Sequence, residues 1–200
     1  MTMWLKLDLE DIDFRFRISK YQKSIDDGYW DKWCKVDLTL KAQEWLNYNM
    51  VYREALLPHE VEYLCDKIEA LLNDKLNEPE IITCIEPDLE FHLFPKDDIR
   101  NNPDVVYIRP GSNTIVDVTM DLIVSFWDKD GVLTANQLKL AFNREDIEKL
   151  HCYLKYIIGT ITEEDKIFPK LIANGIIYEN EEKKERNKKH VYNIEFRNSF

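Results

Sequence analysis

The side chains in this 200-residue chain best equipped for chemistry are four histidines, four cysteines and several carboxylate clusters. His59 opens the run His59-Glu60-Val61-Glu62-Tyr63, which begins like a helical zinc motif. That motif needs imidazoles at i and i+4 so that both share one helix face. Tyr63 holds the second place, so the ligand pair is incomplete. Asp128-Lys129-Asp130-Gly131 starts like a calcium loop, which requires an oxygen ligand at its fifth position, Gly at the sixth and Glu at the twelfth. Counted from Asp128, those places hold Val132, Leu133 and Lys139, and the four residues read instead as a turn. Asp8, Glu10, Asp11 and Asp13 could share a metal or a proton, yet no His or Cys is near them in sequence. Like charges on a solvated strand edge, where they discourage sheet-to-sheet aggregation, explain them better.

Cys34, Cys65, Cys84 and Cys152 are too far apart in sequence for a zinc ribbon or a redox pair to be read locally. No Ser or Cys sits in a nucleophile elbow, and no two glycines lie close enough to cradle a phosphate. The expectation is therefore no catalytic residue, no metal and no cofactor. The chemical alternative is a site assembled from distant residues, with His92, His151 and nearby carboxylates meeting in a pocket of a hydrolytic or small-molecule-binding enzyme.

The elements that would position such groups follow from period. Leu5, Leu7, Leu9 and then Phe14, Phe16, Ile18 alternate with polar residues, as do Cys34, Val36, Leu38, Leu40 and Ala42. Period two puts one strand face on a core and the other in water. Leu46, Tyr48, Met50 and Tyr52 share one face of a following strand, which makes an antiparallel hairpin. Val61, Leu64, Ile68 and Leu71 then change to helical spacing behind Pro58, which suits a first helical turn. Further on, "IITCI", "LEFHLF" and "VVYIRPGSNTIV" read as strands, the last with a turn at "PGSN". Val118, Met120, Leu122, Val124 and Phe126 alternate again, "DKDG" turns the chain, and Leu138, Leu140 and Phe142 return. Asn143 is a good N-cap for a helix carrying Ile147, Leu150, Leu154 and Ile157, with Asp146 placed to reinforce it. An offset of about 86 positions lays the first strand–strand–helix unit on the second. The fold class is α+β: an antiparallel sheet, as one surface or as two partly wrapped sheets, covered by two main amphipathic helices, with an internal strand–strand–helix pseudo-repeat. Residues 1–160 form this domain. Residues 161–200 extend it with a short helix and a hairpin in which "VYNIEF" pairs with "GIIYE".

Net charge is −11 at neutral pH. Such a field repels phosphate backbones and attracts cationic proteins, which argues against a nucleic-acid partner and for a basic protein partner. The first residues contain no uncharged apolar run of signal-peptide length, and no stretch reaches the roughly 18 apolar residues of a membrane span. A reduced, cytoplasmic protein with no membrane partner is expected. Trp30 and Trp33 flank Asp31 and Lys32 just before the best strand, and tryptophan is a frequent binding anchor.

"YWDKWCKVDLTLKA", "LLPHEVEYLCDKIEAL", "LEFHLF", "VDVTMDLIVSFW" and "NQLKLAFNREDIEKLHCYLKYI", read in order, resemble the WapI-type immunity proteins over residues 29–159. In that family a "YWDxNW" segment opens a strand; this chain has one residue fewer between Asp31 and Trp33. The resemblance implies a non-enzymatic cytoplasmic protein that silences a cognate toxin domain by occluding its basic or catalytic face. Trp30, Asp31 and Trp33, together with the acidic turn residues Asp128 and Asp130, are the candidate partner-binding residues. Monomer and dimer are both open, and an accessory domain without a dedicated ligand is the third reading.

Overall fold

A computed structural model describes residues 3–23, 32–101 and 103–179. Trp4–Leu9 (β1) and Ile12–Ser19 (β2) form a hairpin whose turn residues Glu10 and Asp11 both take positive φ. That turn twists as the flanking strands do. It also sets Asp8 directly opposite Asp13, whereas one uninterrupted alternation would have put them on opposite faces. Cys34–Ala42 (β3) pairs with β2 and with Leu46–Leu56 (β4), and Pro58–Leu72 (α1) follows. Glu80–Thr83 (β5) and Leu89–Phe94 (β6) begin a second sheet, which Thr119–Trp127 (β9) and Leu133–Phe142 (β10) complete. Between β6 and β9 stands a small two-stranded stem of Asp97–Asp98 (β7) and Ile115–Val116 (β8). Arg144–Ile157 (α2), Phe168–Ala173 (α3) and Ile177–Tyr178 (β11) end the described chain.

The two larger sheets run β11-β1-β2-β3-β4 and β10-β9-β6-β5, antiparallel throughout. This is an α+β fold with two long helices. The strand–strand–helix unit does occur twice, as β3-β4-α1 and β9-β10-α2, each with its hairpin at a sheet edge. The offset that superposes the helices overshoots the strands by two residues. Arg17 lies opposite Asp37 as His92 lies opposite Asp121, so Asp37 corresponds to Asp121. A two-residue error keeps strand parity, which is why the inward pattern matched; irregularities in β4 take up the difference.

One apolar cluster fills the interior and draws on both sheets and both long helices. Phe14 of β2 meets Phe142 of β10 edge to face, ring centroids 5.4 Å apart. Tyr153 of α2 is fully buried; its hydroxyl donates to the Met3 carbonyl (3.2 Å) and accepts from the Ile18 amide (2.9 Å). The helix that follows the four-stranded sheet is thereby hydrogen-bonded to the five-stranded one.

Helix α2 begins where expected. The Asn143 side chain accepts from the Asp146 amide (3.1 Å), and the Asp146 carboxylate reaches back to the Asn143 amide (3.4 Å). Asn143→Ala removes that acceptor and should lower stability by about 1 kcal/mol, read as a shift in urea midpoint at unchanged slope.

Two expectations change. "VVYI" is not a strand: among residues 103–116 only Ile115 and Val116 enter a ladder, because prolines bracket the apolar run and no neighbouring edge meets it. Ile177 and Tyr178 of "GIIYE" pair with β1; "VYNIEF", their expected partner, lies outside the described residues.

Candidate partner-binding surface

The outer face of the five-stranded sheet is a polar array, as one face of an antiparallel sheet can be. Its strands send Lys6, Asp8, Arg15, Arg17, Asp37, Thr39 and Lys41 to that side, opposite the core-facing leucines and phenylalanines. At the end where β3 begins, the array becomes organised. Asp37 is buried and accepts from Arg17 through Nε (2.9 Å) and Nη2 (2.6 Å). Arg17 lies 4.8 Å above the ring of Trp4. The other Asp37 oxygen takes the backbone N–H of Tyr52 (3.1 Å).

That last bond explains the shape of β4. Its register against β3 slips twice, between the pairs Cys34–Leu56, Val36–Arg53 and Leu38–Met50. Tyr52 sits in the slip with φ of +55°, a left-handed conformation that bulky residues rarely adopt. Tyr52 therefore leaves the row expected with Tyr48 and Met50. Its ring is half exposed and lies under Lys35, which is also paired with Glu54. Backbone strain of this kind persists where surroundings over-determine it, and it concentrates at working surfaces.

The next residue, Arg53, faces the seam between the sheets. Its guanidinium is 4.8 Å from the centre of the Trp127 ring and donates to Asp88 (3.2 Å). Trp127 Nε1 donates to the same Asp88 oxygen (2.8 Å), and the Asp88 carbonyl accepts from Ser125 (3.0 Å). Asp88 is only 1% exposed, so it is a fixed joint tying β4 to β9.

The expected binding residues fall around this edge in part. Trp33, half-buried, precedes β3, whose first residue pairs with Leu56 of β4. Trp30 and Asp31 lie outside the described residues. Asp128 and Asp130 are exposed in the β9–β10 turn immediately after Trp127. Asp128 Oδ1 accepts the amides of Asp130 (2.9 Å) and Val132 (2.8 Å), so it shapes the turn as well as charging it. Arg53 and Trp127 thus bring the Asp128–Gly131 turn to the edge that carries Tyr52. Sequence reasoning missed Tyr52, Arg53 and Asp88. The available signal was Asp37, an acid in the middle of the clearest alternating strand; the fold buries it against Arg17.

The groups of the alternative enzyme reading are set apart. His92 contacts Glu90 (2.5 Å) on its own strand, while His151 is buried on α2 with Glu69 of α1 at 3.8 Å. Burial, with Lys155 nearby, lowers the His151 imidazole below its ordinary value, so it is neutral at neutral pH. Burial pushes the thiols of Cys65 and Cys84 up to about 12, so neither is a thiolate nucleophile. An open cleft of about 630 Å³ between β1, α2 and the α3–β11 connection is lined by Lys6, Asp8, Glu145 and Lys149 among others, with no histidine or cysteine. Among the described residues no three His, Cys, Asp or Glu side chains gather to hold a metal ion, and no helix is long and apolar enough to cross a membrane.

The charge has a plain arrangement. Arg15, Arg17, Arg53, Arg100 and Arg144 are each engaged by one of the chain's own carboxylates, Asp13, Asp37, Asp88, Asp98 and Asp117. Exposed acids such as Glu44, Asp66, Asp130 and Glu148 are left to face solvent.

A family model described as the immunity protein WapI-like family matches residues 5–161. The match takes in both strand–strand–helix units and also β1 and β2, which the resemblance over 29–159 had left out; α3 and β11 lie beyond it. No curated protein and no solved structure matches the chain.

Proposed function

Because the chain belongs to the immunity protein WapI-like family, whose members bind a toxin, we propose that it neutralises a cognate toxin domain by covering that domain's basic or catalytic face. The family match is the observation that carries this reading. Surplus carboxylate supports the basic partner: a cationic surface is drawn to it, and encounter is accelerated. Occlusion needs no turnover, which accords with His92 and His151 standing apart, one against Glu90 on its own strand and the other near Glu69 of α1. The reading places the protein in the cytoplasm, where its four free cysteines stay reduced.

The docking face in this proposal is the edge built by Tyr52, Trp33 and the Asp128–Gly131 turn; Trp30 and Asp31, which precede Trp33 in sequence, remain candidate partner-binding residues by the family motif. Tyr52 is the anchor, since a half-exposed aromatic held by its own backbone loses little entropy on binding. Co-expression with the toxin domain encoded beside it should rescue growth and yield a co-purifying complex. Tyr52→Ala should weaken that complex by about 30-fold or more while leaving the unfolding midpoint within experimental error. Absence of both rescue and complex would sink the immunity reading; full-strength binding by Tyr52→Ala would move the docking face elsewhere.

A further inference from the structure

The two long helices lie side by side, and the seam between them carries charge as well as apolar packing. Arg144, Glu148, His151 and Lys155 recur at helical spacing on one face of α2. That face runs along α1: Arg144 Nη1 reaches the Leu72 carbonyl (3.5 Å), and Lys155 Nζ stands 3.4 Å from the Glu69 carboxylate. His151 lies between these two contacts and is buried, with 9% of its surface exposed. Its Nε2 has no hydrogen-bond partner among the described residues. Glu69 Oε2 is 3.8 Å away, beyond hydrogen-bond reach, and Lys155 already engages that same oxygen. A buried polar atom left without a partner costs free energy and calls for a reason.

We propose that His151 makes the α1–α2 seam acid-labile: a proton taken up by its imidazole places a second cation beside Lys155 and loosens the contact between the helices. The device acts on the protein alone and does not depend on a toxin partner. Burial is the first influence against the imidazolium, and Lys155 adds to it; Glu69 and Asp66 on α1 favour it. Burial also raises the thiols of Cys65 on α1 and Cys152 on α2, which stay neutral. The strands meet α2 on its apolar face of Ile147, Leu150 and Leu154. Lys6 and Asp8 of β1 line the cleft with Glu145 and Lys149, towards the start of α2. Asp121 of β9 and Lys139 of β10 pair with each other (2.6 Å). Helix α3 meets α2 through Phe168 on Tyr156, ring centroids 5.2 Å apart, and its Lys170 is exposed. The folded state disfavours a proton that the unfolded chain accepts at the ordinary value of 6.5. Stability is therefore full above that value and is lost as pH falls through it. Carboxylates such as Asp117, held at about 2 by Arg144, titrate well below this window.

The test measures urea midpoints of the full-length protein at about pH 7.5 and about pH 5.5, for the wild type, His151→Gln, Glu69→Gln and Lys155→Gln. The wild-type midpoint should fall. His151→Gln keeps a polar side chain that does not titrate and should lose at least about half of that fall. Glu69→Gln removes a carboxylate that favours the imidazolium and should deepen the fall; Lys155→Gln removes the cation beside it and should shrink the fall. Titrating groups elsewhere are common to the four proteins, so differences between the falls isolate the seam. Over the same interval the amides of α1 and α2 should lose protection from hydrogen exchange relative to those of β2 and β3, in the wild type and not in His151→Gln. A wild type whose midpoint does not fall, or a His151→Gln variant that keeps more than half of the fall, overturns the device. Protection lost evenly across helices and strands overturns the seam as the place that opens. If His151→Gln does not fold, the two charge variants decide: opposite changes uphold the device, and equal or absent changes overturn it.

Discussion

Asp37→Ala is expected to destabilise the protein by about 3 kcal/mol, the lower end of the range for removing one partner of a buried ion pair. The lower end applies because Arg17, its partner, keeps 11% of its side chain in contact with solvent. The loss has two parts. Arg17 is left charged against Trp4 with no counter-ion, and the Tyr52 amide is left without its acceptor. Asp37→Asn keeps an acceptor for Tyr52 and should cost less. Arg17→Met combined with Asp37→Leu removes the uncompensated charge and should recover much of the stability, though not the part owed to the Tyr52 amide. Urea unfolding of the four proteins measures this. A double variant no more stable than Asp37→Ala would show that charge burial is not the cause. Because Asp37 holds the Tyr52 slip, Asp37→Ala should also weaken toxin binding more than its distance from solvent would imply. Asp37→Asn separates that loss from simple unfolding.

The second large effect concerns Tyr153. Tyr153→Phe leaves the Ile18 amide and the Met3 carbonyl buried without their partner, at a cost of about 1–3 kcal/mol. Tyr153→Ala also removes the ring that packs on Phe16, and the cavity alone costs about 3–5 kcal/mol. Against a total stability of roughly 5–15 kcal/mol, the alanine variant should be close to unfolded at 37 °C. Burial raises the phenol well above its ordinary range, so the hydroxyl remains a donor to Met3 at neutral pH. A Phe variant as stable as the wild type would mean that water or a shifted backbone satisfies Ile18, and that the helix-to-sheet tie is dispensable.

How much of this was readable in advance differs by element. Strands β1, β2, β3 and β9 and both long helices were legible because burial on one face writes a period into the chain. The Asn143 cap was legible because capping is local chemistry. Tyr52 was assigned to the wrong face because period counting assumes no slip, and the slip in β4 comes from a hydrogen bond to Asp37, fifteen residues away. Asp88 gave no signal at all in "EPD"; its role comes from Arg53 and Trp127, which only folding brings together. "VVYI" misled for the opposite reason. It has strand composition, but a strand also needs an edge to pair with, and composition does not report edges.

From the sequence alone came the antiparallel α+β class, the doubled strand–strand–helix unit, the family likeness and the surplus of negative charge. All of these are sums or short-range periodicities, and they survive any arrangement of the elements. Tertiary structure alone decided that there are two main sheets, that Asp37 and Asp88 are buried joints, that Tyr52 is turned outward and that Val106 and Tyr107 stand on a stem in solvent. Each depends on which distant residue arrives beside which, and that is set by packing across the two sheets, not by the order of residues within any one strand.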